Sequence, residues 1–363
     1  MRDINKKTNC CFKTKQLPRI AFLVVVALIT STACTAKSTP ELNVYESNSS
    51  STIEPIEKTI FALDTSVSIK LYDTSDEKIL SEALELCNHY EDIFSAHKET
   101  SELYKLNHRK EGVNEVEVSP ELAETIEKAL EYCKLSNGAF DITIEPVQML
   151  WAFDSENAKV PDENLIKEEL KKVDYTKVSV DKNIVKFESA DTRIDLGAIA
   201  KGYIADKIKE FLVKNNVHSA IINLGGNVLC IGKKPNGEKF NVGLQKPFAD
   251  RRETIGAIEI DDLSVVSSGV YERHFFENGI NYHHILNPKT GYPYQNGITQ
   301  VSIITALSTN ADALSTTCFS LGEEKAVELI NSITNTYAVF VMENGDIKFS
   351  EGAEELVKLE SNN

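Results

Sequence analysis

The chain has 363 residues, 42% of them hydrophobic and 26% charged, with a formal net charge of −16. This is enough to bury a core as one large domain or two intimately joined lobes. The acidic balance, with no basic patch, excludes the electrostatic footprint of nucleic-acid binding; an anionic ligand would need a local cation, a lysine or backbone amides.

The N-terminus, MRDINKKTNCCFKTKQLPRI, sets Arg2, Lys6, Lys7, Lys13, Lys15 and Arg19 against Asp3 alone. The apolar run AFLVVVALIT is too short to span a bilayer, and STAC places small residues before Cys34. Together these form an export signal over residues 1–33. A cysteine at the cleavage point resembles a lipoprotein signal, with Cys34 lipidated and becoming the mature N-terminus. Ser31 departs from the aliphatic residue usual three places before it. An ordinary secretory signal and an uncleaved anchor are the alternatives. Residues 34–57, rich in Ser, Thr and Asn, form a flexible tether, and the folded domain is expected over 58–355. Loss of residues 1–33 removes six basic residues and one acidic, leaving a mature net charge of −21. Cys87, Cys133, Cys230 and Cys318 sit in apolar surroundings without CxxC or zinc spacing. They are expected as buried free thiols, with disulfides the alternative outside the cell.

TIFALDTSVSIKLYD alternates as a strand entering the domain. Leu80, Leu84, Cys87, Tyr90, Ile93 and Phe94 follow at helical spacing. SPELAETIEKALEYCKLSNG carries Ser119 as N-cap, Pro120 at the first helical position and Gly138 near the stop. AFDITIEPVQMLWAF breaks that helix, PDENLIKEELKKV forms a short one, and KVSVDKNIVKFESADTRIDLG reads as a hairpin running into a third strand. LGAIAKGYIADKIKEFLVKNN is a strand end, a glycine and a helix, and HSAIINLGGNVLCIG is two strands around a Gly-Gly-Asn turn. FNVGLQKPF, IGAIEIDDLSVVSSG and ITQVSIITA supply strands; NADALSTTCFSLG and EEKAVELINSI supply helices. YAVFVMENGDIKFS closes with a hairpin. Without a regular βαβ repeat, the class is α+β rather than Rossmann.

Five stretches carry candidate chemistry. In NADALSTT, Asp312 and Thr316 stand one helical turn apart, so a carboxylate and a hydroxyl share a face. Hard oxygen donors suit Mg2+; the alternative is an acidic residue placed for the helix dipole. In DLGAIAKGYIAD, Gly197, Ala198 and Gly202 permit close backbone approach and Lys201 lies in the first turn. That arrangement serves either an anion or tight helix packing. NLGGN is a hairpin turn or a ligand-facing one. In GAFDITIEP, Phe140 and Asp141 offer a ring and a carboxylate to a planar heterocycle, or a core aromatic and a turn acid. HHILNPKTGYPY disfavours zinc, because adjacent side chains on a strand point to opposite faces and no further ligand stands at zinc spacing. Its NPKTG is turn chemistry beside one inward histidine, His284 preferred.

Taken in order, GAFDITIEP…LW, DLGAIAKGYIAD, INLGGN, SSGVYERHF…HHILNPKTGYP and NADALSTTCFSLG closely resemble the ApbE family, the FAD:protein FMN transferases, from about Ile60 to Phe349. FSAHKETSELYKLN is similar to the family's early helix and loop. The resemblance implies a single α+β catalytic domain of mixed sheets and helices, with FAD and metal in a cleft between two lobes. It implies a Mg2+-dependent enzyme that splits the FAD pyrophosphate, joins FMN to a Ser or Thr hydroxyl of a target protein as a phosphodiester, and releases AMP. By the same resemblance, the side chains of Asp312 and Thr316 and the Ala198 carbonyl hold Mg2+. Asp195, Lys201, Ala139, Phe140, Asp141 and Ile285 contact FAD, and His284 lies close to the pyrophosphate. Leu63 falls where the family often has Met next to Gly, here replaced by Asp64, and His97 stands where an aromatic residue is frequent.

Phosphoryl transfer asks for in-line positioning and charge cancellation. A base must help the hydroxyl, and Asp312 and His284 are both candidates. The implied partner is an exported or membrane-bound redox protein with a Ser/Thr flavinylation motif. The implied location is the extracytoplasmic face of a bacterial cell membrane, held by a lipid anchor on Cys34. An FAD pyrophosphatase and a non-catalytic FAD-binding lipoprotein are the alternative readings.

Overall fold

The structure, a computed structural model, describes residues 53–153, 155, 158–250 and 252–360. The export signal, Cys34 and most of the expected tether lie outside the described residues. Ser51–Asn363 clusters as one compact unit. Its class is the expected α+β.

The central sheet has eight antiparallel strands. In spatial order they are β1 (Ile56–Ala62), β2 (Thr65–Leu71), β6 (Ala220–Leu224), β7 (Asn227–Ile231), β10 (Ser264–Gly269), β13 (Ile298–Thr305), β14 (Tyr337–Met342) and β15 (Ile347–Phe349). Every residue of β13 is buried, as a strand covered on both faces requires. Val301 and Ile303 enter the main core, shared with the helices, while Ile304 enters a second core. That second core is closed by a three-stranded sheet of β8 (Phe240–Gln245), β9 (Thr254–Ile260) and β16 (Val357–Leu359), through Phe240, Leu244 and Ile258.

The main core takes helices α1 (Glu77–Phe94), α2 (Glu102–Asn107), α3 (Pro120–Leu135), α6 (Ala200–Lys214), α7 (Ser308–Leu321) and α8 (Glu323–Asn331). Asp76 caps α1, accepting from Lys78 N at 2.9 Å. Ser119 caps α3 ahead of Pro120, as its sequence predicts. Helix α7 differs from an ordinary amphipathic helix: none of its residues is fully exposed, and small side chains such as Ala311, Ala313 and Ser315 let neighbours close in.

A third apolar cluster joins α4 (Glu145–Trp151) and α5 (Glu163–Leu170) to an isolated ribbon, β11 (His274–Glu277) and β12 (Ile280–His283). Trp151 anchors it, lying 5.5 Å from the Tyr282 ring and donating from Nε1 to Gly291 O at 2.9 Å. A Cβ on Gly291 would stand 2.4 Å from Ile166, so the NPKTG turn docks tightly on this cluster.

Several expectations need correcting. TIFALDTSVSIKLYD is two strands, not one; Leu63 and Asp64 turn the chain with φ of 54° and 55°. Glu91 holds that turn by accepting from Leu63 N at 3.0 Å. The hairpin β4 (Val178–Asp181) and β5 (Ile184–Phe187) does not run into a third strand; its third strand is β3 (Glu115–Glu117), paired with β5. All four described cysteines are free and buried, and burial pushes their thiols up, Cys87 and Cys230 to about 12. Among the described residues no helix is long and apolar enough to cross a membrane.

Candidate functional site

Helices α6 and α7 meet almost backbone to backbone. A Cβ on Gly202 would lie 2.3 Å from Ser308 O, so the glycine serves helix packing here. Asp206, one turn along α6, caps α7 by accepting from Ser308 N at 2.9 Å and Thr309 N at 2.8 Å. The dipole role open to Asp312 is therefore filled by Asp206. Asp312 is instead 4% exposed and accepts from Gly202 N at 2.8 Å through Oδ2. Among the described residues no hydrogen bond holds its Oδ1. Burial raises its carboxyl pKa, while the Lys201 charge and the Gly202 N–H pull it back.

Lys201 donates to Gly197 O at 3.2 Å and has no ion-pair partner among the described residues. Its charge lowers the pKa of both Asp312 and His284, and the Gly202 N–H bond puts Asp312 beside the start of α6 that carries Lys201. Burial pushes the His284 imidazole down to about 3, with help from His283, Arg273 and Lys201. His284 Nδ1 is enclosed without a partner, while the residue as a whole stays partly accessible. His283 is the less accessible of the pair, at 2% exposure. Its Nε2 lies 2.9 Å from Tyr294 O, and its Nδ1 accepts from Ile285 N at 3.3 Å. Both nitrogens of His283 thus hold the fold, whereas Nδ1 of His284 has no partner among the described residues.

Thr316 stands one turn beyond Asp312, partly exposed, with Ser268 Oγ of β10 at 3.2 Å from its Oγ1. Ala198 lies in the turn before α6, two residues ahead of that helix. Among the described residues no cluster of three His, Cys, Asp or Glu side chains could hold a metal. The oxygen set of Asp312 Oδ1, Thr316 Oγ1 and a main-chain carbonyl nevertheless fits Mg2+, which binds through few protein ligands when substrate phosphate completes its shell.

The flavin candidates are more dispersed. Asp195 accepts from Gly197 N at 2.9 Å and shapes the turn carrying Ala198 and Lys201; its own N–H donates to Ile142 O at 2.8 Å. Through that bond the GAFDITIEP turn abuts the site. Its side chains each have a structural role. Phe140 is buried in the main core. Asp141 caps the following turn, accepting from Thr143 N at 2.8 Å and Tyr175 N at 3.2 Å. Ala139 offers its carbonyl to Tyr294 Oη at 2.8 Å and lines a cavity of about 610 Å3 with Asn137, Lys289, Ser320 and Lys325. Asp312, Lys201 and His284 do not line that cavity. Ile285 is buried at the edge of the main core, and Leu63 sits in the β1–β2 turn without a hydrogen bond to the others. The NLGGN turn packs on that hairpin: Gly225, at φ 64°, leaves no room for a Cβ against Thr65.

Sequence reasoning missed Ser268 and Ser315, which stand 2.7 Å apart, and Glu145. The last is buried, with Oε2 lacking a partner and Arg193 4.0 Å from Oε1. Burial raises its carboxyl pKa. An acid directly before Pro146 was a visible signal, but it reads equally as a helix start.

The ApbE family model matches residues 63–341. The FAD:protein FMN transferase of Klebsiella pneumoniae (strain 342) is 36% identical over 284 residues, covering 78% of this chain and 87% of the relative. That of Treponema pallidum (strain Nichols) is 34% identical over 295 residues, covering 77% and 81%. The crystal structure of the ApbE protein from Thermotoga maritima superposes with a TM-score of 0.76 at 34% identity, over 84% of this chain and 99% of that one.

Proposed function

The chain belongs to the ApbE family, and from that premise we infer that it moves FMN from FAD onto a Ser or Thr hydroxyl of a target protein, releasing AMP. The observation that carries the reading is Lys201: a lysine without an ion-pair partner among the described residues, in an acidic protein, acting on both Asp312 and His284. Such a cation is available to a pyrophosphate. Its position at the start of α6 opposes the helix dipole, which an anion beside it compensates.

Each residue then has a task. Lys201 draws the pyrophosphate toward the α6 N-terminus, and Asp195 fixes the turn that presents it. Asp312 Oδ1, Thr316 Oγ1 and the Ala198 carbonyl would hold Mg2+, which supplies Lewis-acid charge cancellation when bound. With Oδ2 tied to Gly202 N–H, Asp312 is better placed as a ligand than as a base. His284 is the stronger candidate to accept the proton of the attacking hydroxyl. It is neutral at pH 7, and an anionic pyrophosphate beside it offsets the Arg273 and Lys201 charges that depress its basicity. The hydroxyl oxygen bonds to the FMN phosphorus as the bond to the AMP phosphate breaks.

The test uses residues 35–363, which contain the compact unit, with FAD, Mg2+ and a candidate exported flavoprotein domain. AMP is followed by chromatography and the acceptor by intact mass. AMP with an FMN adduct, both lost in EDTA, is expected. AMP with free FMN means hydrolysis, and bound FAD without AMP means a flavin carrier. We further propose that lipid on Cys34 holds the enzyme at the extracytoplasmic membrane face, where an exported or membrane-bound redox protein presents the acceptor motif. Cys34→Ala should then move it from the membrane to the soluble fraction; unchanged partitioning refutes the anchor.

A further inference from the structure

Three hydroxyls form a chain beside Asp312. Ser315 Oγ lies 2.8 Å from the Asp312 main-chain oxygen, Ser268 Oγ lies 2.7 Å from Ser315 Oγ, and Thr316 Oγ1 lies 3.2 Å from Ser268 Oγ. There are three bonds and three hydroxyl protons, one to each bond. A carbonyl only accepts, so Ser315 gives its proton to Asp312 O. Ser315 Oγ must then accept from Ser268. Ser268 has no proton left for Thr316 and accepts from it instead. The direction of the whole chain follows from its one acceptor-only end.

This matters at Thr316. A helical threonine ordinarily turns its hydroxyl back to the carbonyl four residues earlier, which here is that of Asp312. Ser315 already donates to that oxygen. The Thr316 proton is drawn toward β10, so its lone pairs stay free of it and point away from Ser268. We propose that Ser268 and Ser315 are positioning residues that turn the Thr316 hydroxyl proton aside and leave the Oγ1 lone pairs open to a divalent cation. The inference rests on the cation reading of Asp312 and Thr316, and it adds two residues on separate elements that bind nothing themselves.

The experiment measures binding of Mn2+ alone to the purified full chain, from the free-ion signal in electron paramagnetic resonance. Ser268→Ala should raise the Mn2+ dissociation constant roughly three- to tenfold, the span of one neutral hydrogen bond. Ser315→Ala should weaken binding in the same direction, and it carries the test if Ser268→Ala does not fold. In a Thr316→Val background, Ser268→Ala should have no further effect, because the hydroxyl it orients is gone. Undiminished binding in both serine variants overturns the proposal. An equal loss on both backgrounds also overturns it, as a merely structural role. Wild-type protein that takes up no Mn2+, with or without FAD, overturns the cation site and this inference together, whereas a failure confined to the serines leaves the cation site standing.

Discussion

Gly202→Ala tests the joint between α6 and α7. The added methyl would lie 2.3 Å from Ser308 O and 2.7 Å from both Ser308 C and Thr309 Cα. All three are backbone atoms, so no rotamer change relieves the clash and one helix must withdraw. Intrinsic propensity favours Ala in a helix by about 1 kcal/mol. Against it stand overpacking, about 1–3 kcal/mol, and the strained Gly202 N–H to Asp312 bond, about 1.5–3 kcal/mol for a hydrogen bond to a charged group. The unfavourable effects win, leaving a net loss of roughly 2–4 kcal/mol. At about 2–4 °C per kcal/mol for a chain of this size, the melting temperature should fall roughly 5–15 °C. Because Asp312 loses its tether, Mn2+ affinity should fall too. Differential scanning calorimetry and Mn2+ titration read the two effects. A variant that melts within a degree of wild type and binds Mn2+ normally would refute the argument.

Burial holds His283 at about 4 and His284 at about 3, below the roughly 6.5 of an exposed imidazole. The unfolded chain therefore binds more protons in that window. The contribution of these rings to stability is complete above about pH 6.5 and is lost as pH falls toward the folded values, by up to about 1.4 kcal/mol per unit per ring. The difference in urea stability between wild type and His284→Gln should accordingly shrink from pH 7.5 to 5; a pH-independent difference refutes the depressed pKa. Lys201→Ala should weaken FAD binding about tenfold, near the strength of one charged contact, and let the His284 imidazole titrate higher by NMR. Unchanged FAD affinity removes Lys201 from the site. The four thiols of residues 35–363 should resist a disulfide reagent in the native state and react after denaturation, since burial raises all four pKa values; rapid native reaction would contradict their burial.

Local signals were legible where one short stretch holds all the chemistry. Ser119 with Pro120 marks the start of α3, and Gly-Gly-Asn marks the β6–β7 turn, because the cap and the turn are made by adjacent residues. The order of the five motifs identified the family, since a chain of such stretches has far more information than any one. Contacts between distant segments were not legible. Asp206 caps α7 across 102 positions, and Ser268 meets Thr316 across 48. The Leu63–Asp64 turn was missed because Leu63 does not advertise a positive φ and Asp64 does so only weakly, and a bond from Leu63 N to Glu91 far along the chain holds it. Asp141, a carboxylate in a suggestive motif, caps the next turn, a local role that its own stretch also offered.

Helix α7 has no outward face. Its fourteen residues touch α6, α8 and the central sheet, and none is fully exposed. Most helices leave a solvent-facing stripe on which substitutions drift freely. In α5, for example, Ile166 alone is buried. A saturation library should therefore show α5 as a periodic pattern of tolerance and α7 as a nearly solid block of intolerance. For an enzyme that acts on a protein acceptor, that has a clear implication. Adaptation to a new acceptor has to be carried by other elements, while the helix bearing Asp312 and Thr316 stays locked by its own packing.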